Sequence, residues 1–367
     1  MALRIAHTSR HRRLISSTIS SVSEALDKSF GLCDNRLGRT IDVSPLAKEI
    51  RTSVRDYTHS VSLDHNCRVK LIGILAAQDT SQSDAELYSQ RIQITCQDDG
   101  LDYEICRVSG HQPQDVEAAI QDANHREDIH GILVYYPIFK KRDAGSRGPY
   151  KNRLTGVYYK THDDYLRDVV SPTKDVEGLC HDYNSRWLFR AQAKHRVEQL
   201  PTVLYPCTAI SVLRILENQE QSWNEMTCTI INRSEIFGRP LAAMLANLGA
   251  TVYSIDEHSI LLFRSGGRLR RCTDTDIDRC IRQSTVVISA VPSPNFLLDL
   301  SSIQPGTIVV NVSEYSNVDE QAVLEIPSVR FIPQVGKVTV AVLEQNLISL
   351  HRSKVQRERN DSVMLGS

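Results

Sequence analysis

Two kinds of apolar pattern alternate along this chain. "VKLIGILAA", Val69 to Ala77, is a continuous apolar run of strand length, as expected for a strand covered on both faces. "YEICRV", Tyr103 to Val108, and "IHGILVYYP", Ile129 to Pro137, repeat that signature. Between them, Ser83 to Asp99 and "VEAAIQDAN", Val116 to Asn124, carry apolar residues at helical spacing, and "IDVSPLAKEIRTSVRDY", Ile41 to Tyr57, predicts an earlier helix with one apolar face. Strand-like and helix-like blocks in alternation predict a parallel α/β layer.

The second half follows the same rule. "PCTAISVLRILEN" predicts a helix entered at Pro206 and Thr208. "CTIIN", Cys228 to Asn232, reads as a buried strand, followed by a polar turn, a helix beginning at Pro240 and ending at Gly249, and a second strand ending on Asp256. "TVVISAV" and "TIVVNV" predict further parallel strands, with Arg264, Arg268, Arg270 and Arg271 in a wet loop before them. "VTVAVLEQNLISLHRS" is an amphipathic terminal helix. A strand, a close-approach glycine at Gly238, a helix N-terminus and an acid 18 positions later match a dinucleotide unit. The amide groups suit a pyrophosphate, and Asp256 suits the ribose hydroxyls of NAD and repels the extra phosphate of NADP. One glycine also fits an ordinary strand–helix–strand crossover with no ligand.

Composition narrows the class. The 367 residues suit about two domains, with 41% hydrophobic and 24% charged residues and a net charge of -1, so no basic field draws nucleic acid. The longest apolar run, Gly131 to Phe139, is too short for the roughly 18 residues of a membrane span. Nine dispersed cysteines show no metal spacing and read as reduced thiols, and Cys207 has no paired histidine to make it a nucleophile. Residues 1–23 hold Arg4, Arg10, Arg12, Arg13 and many serines with no acid, the composition of a mitochondrial transit peptide or of an inconsequential tail. The insertion "KKRDAGSRGPYKNR", Lys140 to Arg153, reads as a solvated surface loop, with a phosphate contact as the sharper alternative.

Five ordered motifs carry a resemblance. "INRSEIFGRP" resembles the "GRSxIVGxP" loop of the methylenetetrahydrofolate dehydrogenase/cyclohydrolase family; "GILVYYPIF" resembles its "GILVQLPLP"; "KDVEG", Lys174 to Gly178, its "KDVDG"; "PCT", Pro206 to Thr208, its "PCTP"; and "VGKVTVAVL" its "GVGPMTVAML". The resemblance spans roughly residues 38 to 352. It implies an α/β protein of two domains. Residues 38–204 would form an N-terminal folate (catalytic) domain, completed by 338–355; 205–337 would form a Rossmann-type NAD-binding domain with a parallel sheet, and the C-terminal helix would pack back on the first. Residues 1–37 would be an extension and 356–367 a tail.

The departures imply a branch. The family's bifunctional members carry "YxxxK"; here the tyrosine is Tyr88 and the lysine position is Ile92, which removes the ammonium that serves cyclohydrolysis. Four residues apart on a helix, both side chains are expected to face one cleft. Tyr135 replaces a glutamine, Glu177 an aspartate, Lys337 a proline and Asn232 a glycine. The pattern resembles the monofunctional NAD-dependent branch, an oxidoreductase of one-carbon metabolism that converts 5,10-methylenetetrahydrofolate to 5,10-methenyltetrahydrofolate by hydride transfer. By resemblance Tyr88, Tyr135, Pro137, Glu177 and Gly178 face the folate, with Tyr88, Glu177 and Tyr135 closest to the chemistry. Asn232, Arg233, Ser234, Gly238 and Arg239 would hold the cofactor's phosphates, Asp256 its ribose, and Ala290, Val291, Pro292 and Thr339 its nicotinamide side. No metal is implied. The resemblance also implies a homodimer; the composition of residues 1–23 points to the cytosol or mitochondrial matrix, and net charge and short apolar runs point to no nucleic-acid or membrane partner. Two rivals are a bifunctional enzyme in which Lys337 substitutes for the missing lysine, and a non-catalytic NAD-binding regulator. A third is a dehydrogenase acting on another small acid.

Overall fold

The structure, a computed structural model, describes residues 37–65, 68–77, 84–109, 112–139, 150–151, 158–159, 161–180, 183, 204–219 and 222–365. The expected leader lies outside these residues, as does most of the 140–153 insertion. In chain order the elements begin β1 (Arg39–Thr40), α1 (Ser44–His65), β2 (Lys70–Ala77), α2 (Asp84–Asp98), β3 (Asp102–Ser109), α3 (Pro113–His125) and β4 (Gly131–Val134). Next come β5 (Tyr150–Lys151), β6 (Tyr158–Tyr159), α4 (His162–Val169), α5 (Cys207–Glu217), β7 (Thr227–Ile231), α6 (Gly238–Leu248), β8 (Thr251–Ile255), β9 (Ile260–Arg264) and β10 (Arg268–Cys272). The chain closes with α7 (Ile277–Arg282), β11 (Val286–Ser289), β12 (Ile308–Asn311), α8 (Glu320–Glu325), β13 (Arg330–Ile332) and α9 (Gly336–Leu365).

The predicted parallel layers are two. β3, β2 and β4 form a three-stranded parallel sheet. Its period-two alternation divides the apolar residues cleanly: Leu71, Leu75 and Leu133 face α1 and α9, whereas Ile72, Ile74, Ile132 and Val134 face α3 and α4. The larger sheet runs β1-β13-β12-β11-β7-β8-β9-β10. Its strands from β1 to β8 are parallel, and the chain leaves β7 first to one side, through α6 to β8, and then to the other, to β11. That reversal makes a switch-point crevice at the carboxyl ends of β7 and β11, where doubly wound sheets bind nucleotides.

Three expectations need correcting. Arg264, Arg268, Arg270 and Arg271 lie not in a loop but on β9 and β10, an antiparallel hairpin that extends the large sheet. Its turn uses Gly266 and Gly267 at φ of 77° and 71°, the paired left-handed geometry of tight hairpins, and the row of arginines masked the strand alternation. The expected tail 356–367 continues α9 as helix to Leu365. Arg39 and Thr40, assigned by sequence to the first domain, pair with Arg330 and Phe331 in the large sheet. At 30 residues α9 spans roughly 45 Å. It packs on α1 of the first layer and α5 of the second, as the folded-back terminal helix requires. Val338, Ala341, Val342, Leu343 and Leu347 thereby join a core that contains both Leu71 and Ile230.

Candidate active site

The first half of the site sits at the carboxyl ends of β2 and β4. Gly73 lies mid-strand on the face shared with Leu71. A methyl group there would come within 3.0 Å of Tyr135 Cε2 and collide with the Tyr103 hydroxyl. Its bareness admits a tyrosine pair: Tyr103 and Tyr135 share a hydrogen bond of 2.7 Å between their hydroxyls. Tyr88, on α2, meets Tyr135 edge to face with centroids 6.1 Å apart. Burial raises the pKa of all three phenols, so each stays protonated at neutral pH.

The "KDVEG" turn brings an acid beside these rings. Lys174 donates to the carbonyls of Ala123, Asn124 and Arg126 at 2.9, 2.8 and 2.6 Å, which ties the turn to the end of α3. Asp175 accepts from the amides of Glu177, Gly178 and Cys180 at 3.1, 2.9 and 2.8 Å. Gly178 has φ of 67°, and any side chain there would press on the Tyr205 carbonyl, 2.9 Å away. With its neighbours spent on structure, Glu177 is left as the turn's functional carboxyl. Burial, reinforced by the negative Asp175, pushes its pKa up to about 8, while the Val134 amide and the charge of Arg167 pull the other way. Pro137 is exposed beyond the cis Tyr136–Pro137 bond. Cys207 is buried, donates to the Val176 carbonyl at 3.2 Å and accepts from Asn346 at 3.3 Å. Burial holds its thiol well above the usual range, so it packs and is no nucleophile.

Ile92 corrects an expectation. It does not share a cleft wall with Tyr88; it is 0% exposed and lies in the core. The side of α2 that presents Tyr88 tilts into the core within one turn. Lys337, the rival lysine, is exposed at the start of α9 and donates to Ser44 at 2.8 Å.

The second half occupies the switch point. Asn232 follows β7 at φ of 88°, a geometry its short amide side chain tolerates, and donates to the Ala290 carbonyl after β11 at 2.6 Å, joining the two crevice walls. Gly238 is forced: a side chain there would run into the Asn232 carbonyl. The α6 amides differ from expectation. Gly238 N–H reaches Ser234 Oγ at 3.4 Å and Arg239 N–H reaches the Ser234 carbonyl at 3.0 Å, so the loop itself takes up these first donors. Arg233 does not extend towards a phosphate either. It donates to the Ser254 carbonyl at 2.9 Å, to Ser259 Oγ at 2.6 Å and to Asp256. Arg239 pairs with Glu235 at 2.9 Å on the surface. Thr339 is buried and bonds back to the Val335 carbonyl at 3.2 Å. Asp256 also accepts from the amides of His258 and Ser259 at 2.9 and 2.8 Å. Burial pushes its carboxyl up, but these donors and Arg233 outweigh it and hold the pKa below the usual range. Val291 N–H bonds Asn317 at 2.9 Å, which fixes the loop leading to Pro292.

An ionised acid at the end of β8 supplies an acceptor for ribose hydroxyls, and the bare Gly238 leaves room for a phosphate at the switch-point crevice, so the residues present fit NAD. Sequence reasoning passed over Gly73, Tyr103, Ser259 and Arg167. The isolated glycine in an apolar strand was a usable signal of close approach; the others had none.

Comparison with known proteins matches both domains. Residues 41–146 match the tetrahydrofolate dehydrogenase/cyclohydrolase catalytic domain, and 206–355 match the NAD(P)-binding domain of that family. The chain is 35% identical over 341 residues to a methylenetetrahydrofolate dehydrogenase [NAD(+)] of Dictyostelium discoideum, covering 89% of this chain and 98% of that protein. It is 23% identical over 332 residues to a bifunctional FolD protein of Rhodococcus jostii, covering 87% of this chain and 96% of that one. Among solved structures, the NAD-dependent 5,10-methylenetetrahydrofolate dehydrogenase of Saccharomyces cerevisiae superposes with a TM-score of 0.73 at 31% identity, covering 86% of this chain and 98% of that one. With both domains matched in order, the chain belongs to the tetrahydrofolate dehydrogenase/cyclohydrolase family.

Proposed function

We propose that the protein oxidises 5,10-methylenetetrahydrofolate to 5,10-methenyltetrahydrofolate with NAD⁺ and does not hydrolyse the product. The observation that carries this reading is the pairing of a Tyr88–Tyr135–Glu177 cluster with an ionised Asp256 at the end of β8, in a chain with the buried Ile92 at the position where the bifunctional family pattern has lysine. When bound, NAD⁺ supplies the hydride acceptor. The chain's own work is positioning, because loss of hydride leaves a cation shared by two folate nitrogens and needs little acid–base help. Tyr88 offers a ring face to the folate, and Tyr135 is locked by Tyr103 as a rigid second wall. Ionised Glu177 accepts from the pterin amino edge, a charge-assisted contact that fixes the substrate's orientation. Asn232, Ser234 and Gly238 line the phosphate passage and Asp256 accepts from the ribose, with Arg233 bracing Asp256. Ala290, Val291 and Pro292 border the nicotinamide side.

The test mixes purified protein and methylenetetrahydrofolate with NAD⁺ or NADP⁺ and follows the absorbance of reduced cofactor and methenyl product. Both should appear with NAD⁺, with methenyl persisting. Rapid enzymatic loss of methenyl would restore the bifunctional reading, and no turnover despite NAD⁺ binding would favour a regulator. A homodimer, and delivery to the mitochondrial matrix by residues 1–23, rest on the resemblance and on the arginine- and serine-rich composition. Sedimentation equilibrium and the N-terminal sequence of protein isolated from cells test them.

A further inference from the structure

Helix α4 is fastened to the strand end that carries the folate-facing tyrosines. Thr161 and Asp164 close a capping box at its start. The buried carboxyl of Asp163 accepts from the amides of Ile138 and Phe139 at 3.2 and 3.3 Å, immediately after Pro137. The next turn of the helix lays Arg167 over the ring of Tyr136, with its guanidinium carbon 5.2 Å from the centroid. Arg167 Nη1 donates to Asp164 at 2.8 Å, yet the side chain is 14% exposed. Its Nε and the Tyr136 hydroxyl are both buried without a hydrogen-bond partner among the described residues. Sinking a guanidinium this deep is costly, and one i,i+3 carboxylate repays little of it.

We propose that Arg167 is a positioning residue of the folate site, whose charge makes an ionised Glu177 attainable when the pterin edge docks. This rests on the reading of Glu177 given under the proposed function. A protonated Glu177 keeps one acceptor oxygen but turns an O–H donor towards the other donor of the pterin edge, so the carboxylate binds it more tightly, with two charge-assisted bonds. The groups facing Glu177 come from five elements or turns. They are Asp175 from its own turn, the Val134 amide, Tyr135 and Tyr136 from β4 and the residues after it, Tyr88 from α2, Cys207 from α5 and Arg167 from α4. Burial and Asp175 favour the proton. Among these groups Arg167 alone brings a positive charge.

The test compares wild type, Arg167→Gln, Arg167→Lys and Glu177→Gln by kcat/KM for methylenetetrahydrofolate across pH, together with NAD⁺ affinity. Wild type should rise with pH through a midpoint near 8, where Glu177 ionises. Arg167→Gln should move that midpoint up and lower kcat/KM at pH 7 by roughly twofold or more, with NAD⁺ affinity unchanged. Arg167→Lys keeps the charge and should keep the midpoint. A midpoint unmoved in Arg167→Gln would overturn the inference and leave Arg167 as packing for Tyr136. Should that variant not fold, Arg167→Lys decides: a midpoint displaced despite retained charge overturns it. Wild-type folate kinetics in Glu177→Gln would instead sink the reading of Glu177 itself.

Discussion

Arg233 and Asp256 form an ion pair across the carboxyl ends of β7 and β8, and the same guanidinium also grips Ser254 and Ser259. The acid at the ribose position therefore neutralises a cation that would otherwise greet a phosphate. Cofactor choice is a competition for Arg233: with Asp256 present, a 2′-phosphate meets a carboxylate; without it, the phosphate meets a free guanidinium.

Asp256→Ser should accordingly shift preference towards NADP⁺. One charge-assisted hydrogen bond gained by the phosphate is worth about 1.5–3 kcal/mol, roughly tenfold or more in kcat/KM. Steady-state kinetics with each cofactor measure this. An unchanged NAD⁺/NADP⁺ ratio would remove Asp256 from the ribose site.

Gly73→Ala should separate Tyr103 from Tyr135, because a methyl group has no room between them. Overpacking of this kind costs about 1–3 kcal/mol. The urea midpoint should fall, and kcat/KM for the folate should drop while NAD⁺ affinity holds.

Ile92→Lys should not create cyclohydrolase activity. The position is 0% exposed, so the new ammonium would be buried without a partner and not offered to substrate. Destabilisation of about 3 kcal/mol or more is expected. Urea titration and a methenyl-hydrolysis assay together check it, and appearance of hydrolysis would show that α2 can turn this face to the cleft.

Glu344 on α9 is 0% exposed, and both its carboxyl oxygens lack hydrogen-bond partners among the described residues. Burial, then the neighbouring Asp99, raises its pKa well above the carboxylate range. The folded chain thus holds a proton that the unfolded chain has released above about pH 4.5. Stability should fall as pH rises from there towards the folded-state value. Glu344→Gln, which needs no proton, should flatten that slope and gain most at alkaline pH, as read from urea midpoints at pH 6 and pH 9.

The parallel layers and the order of motifs were legible because apolar runs and helical spacing report burial directly, as at Val69 to Ala77 and Val338 to Ser353. Tyr88, Tyr135 and Glu177 were legible through their motif positions, and the structure brings them together. What escaped had physical causes. The β9–β10 hairpin carries Arg268, Arg270 and Arg271 on an exposed edge, so no burial pattern marked it. Whether Ile92 faces cleft or core depends on the roll of α2 against α9, which spacing along one helix does not encode. Arg233 presented a positive charge in a phosphate loop, but its target was set by Ser254, Asp256 and Ser259, up to 26 positions away. Arg167 sits on a short polar helix whose importance arises from what Asp163 fastens it to.

Two segments cross between the lobes. Arg39 and Thr40 complete the margin of the large sheet, while α9 leaves that sheet and lies along α1. Each lobe is finished by a segment belonging in sequence to its neighbour, so neither is a separable module. Losing Arg39–Thr40 would strip the margin from the large sheet, and losing α9 would uncover α1 and α5 together.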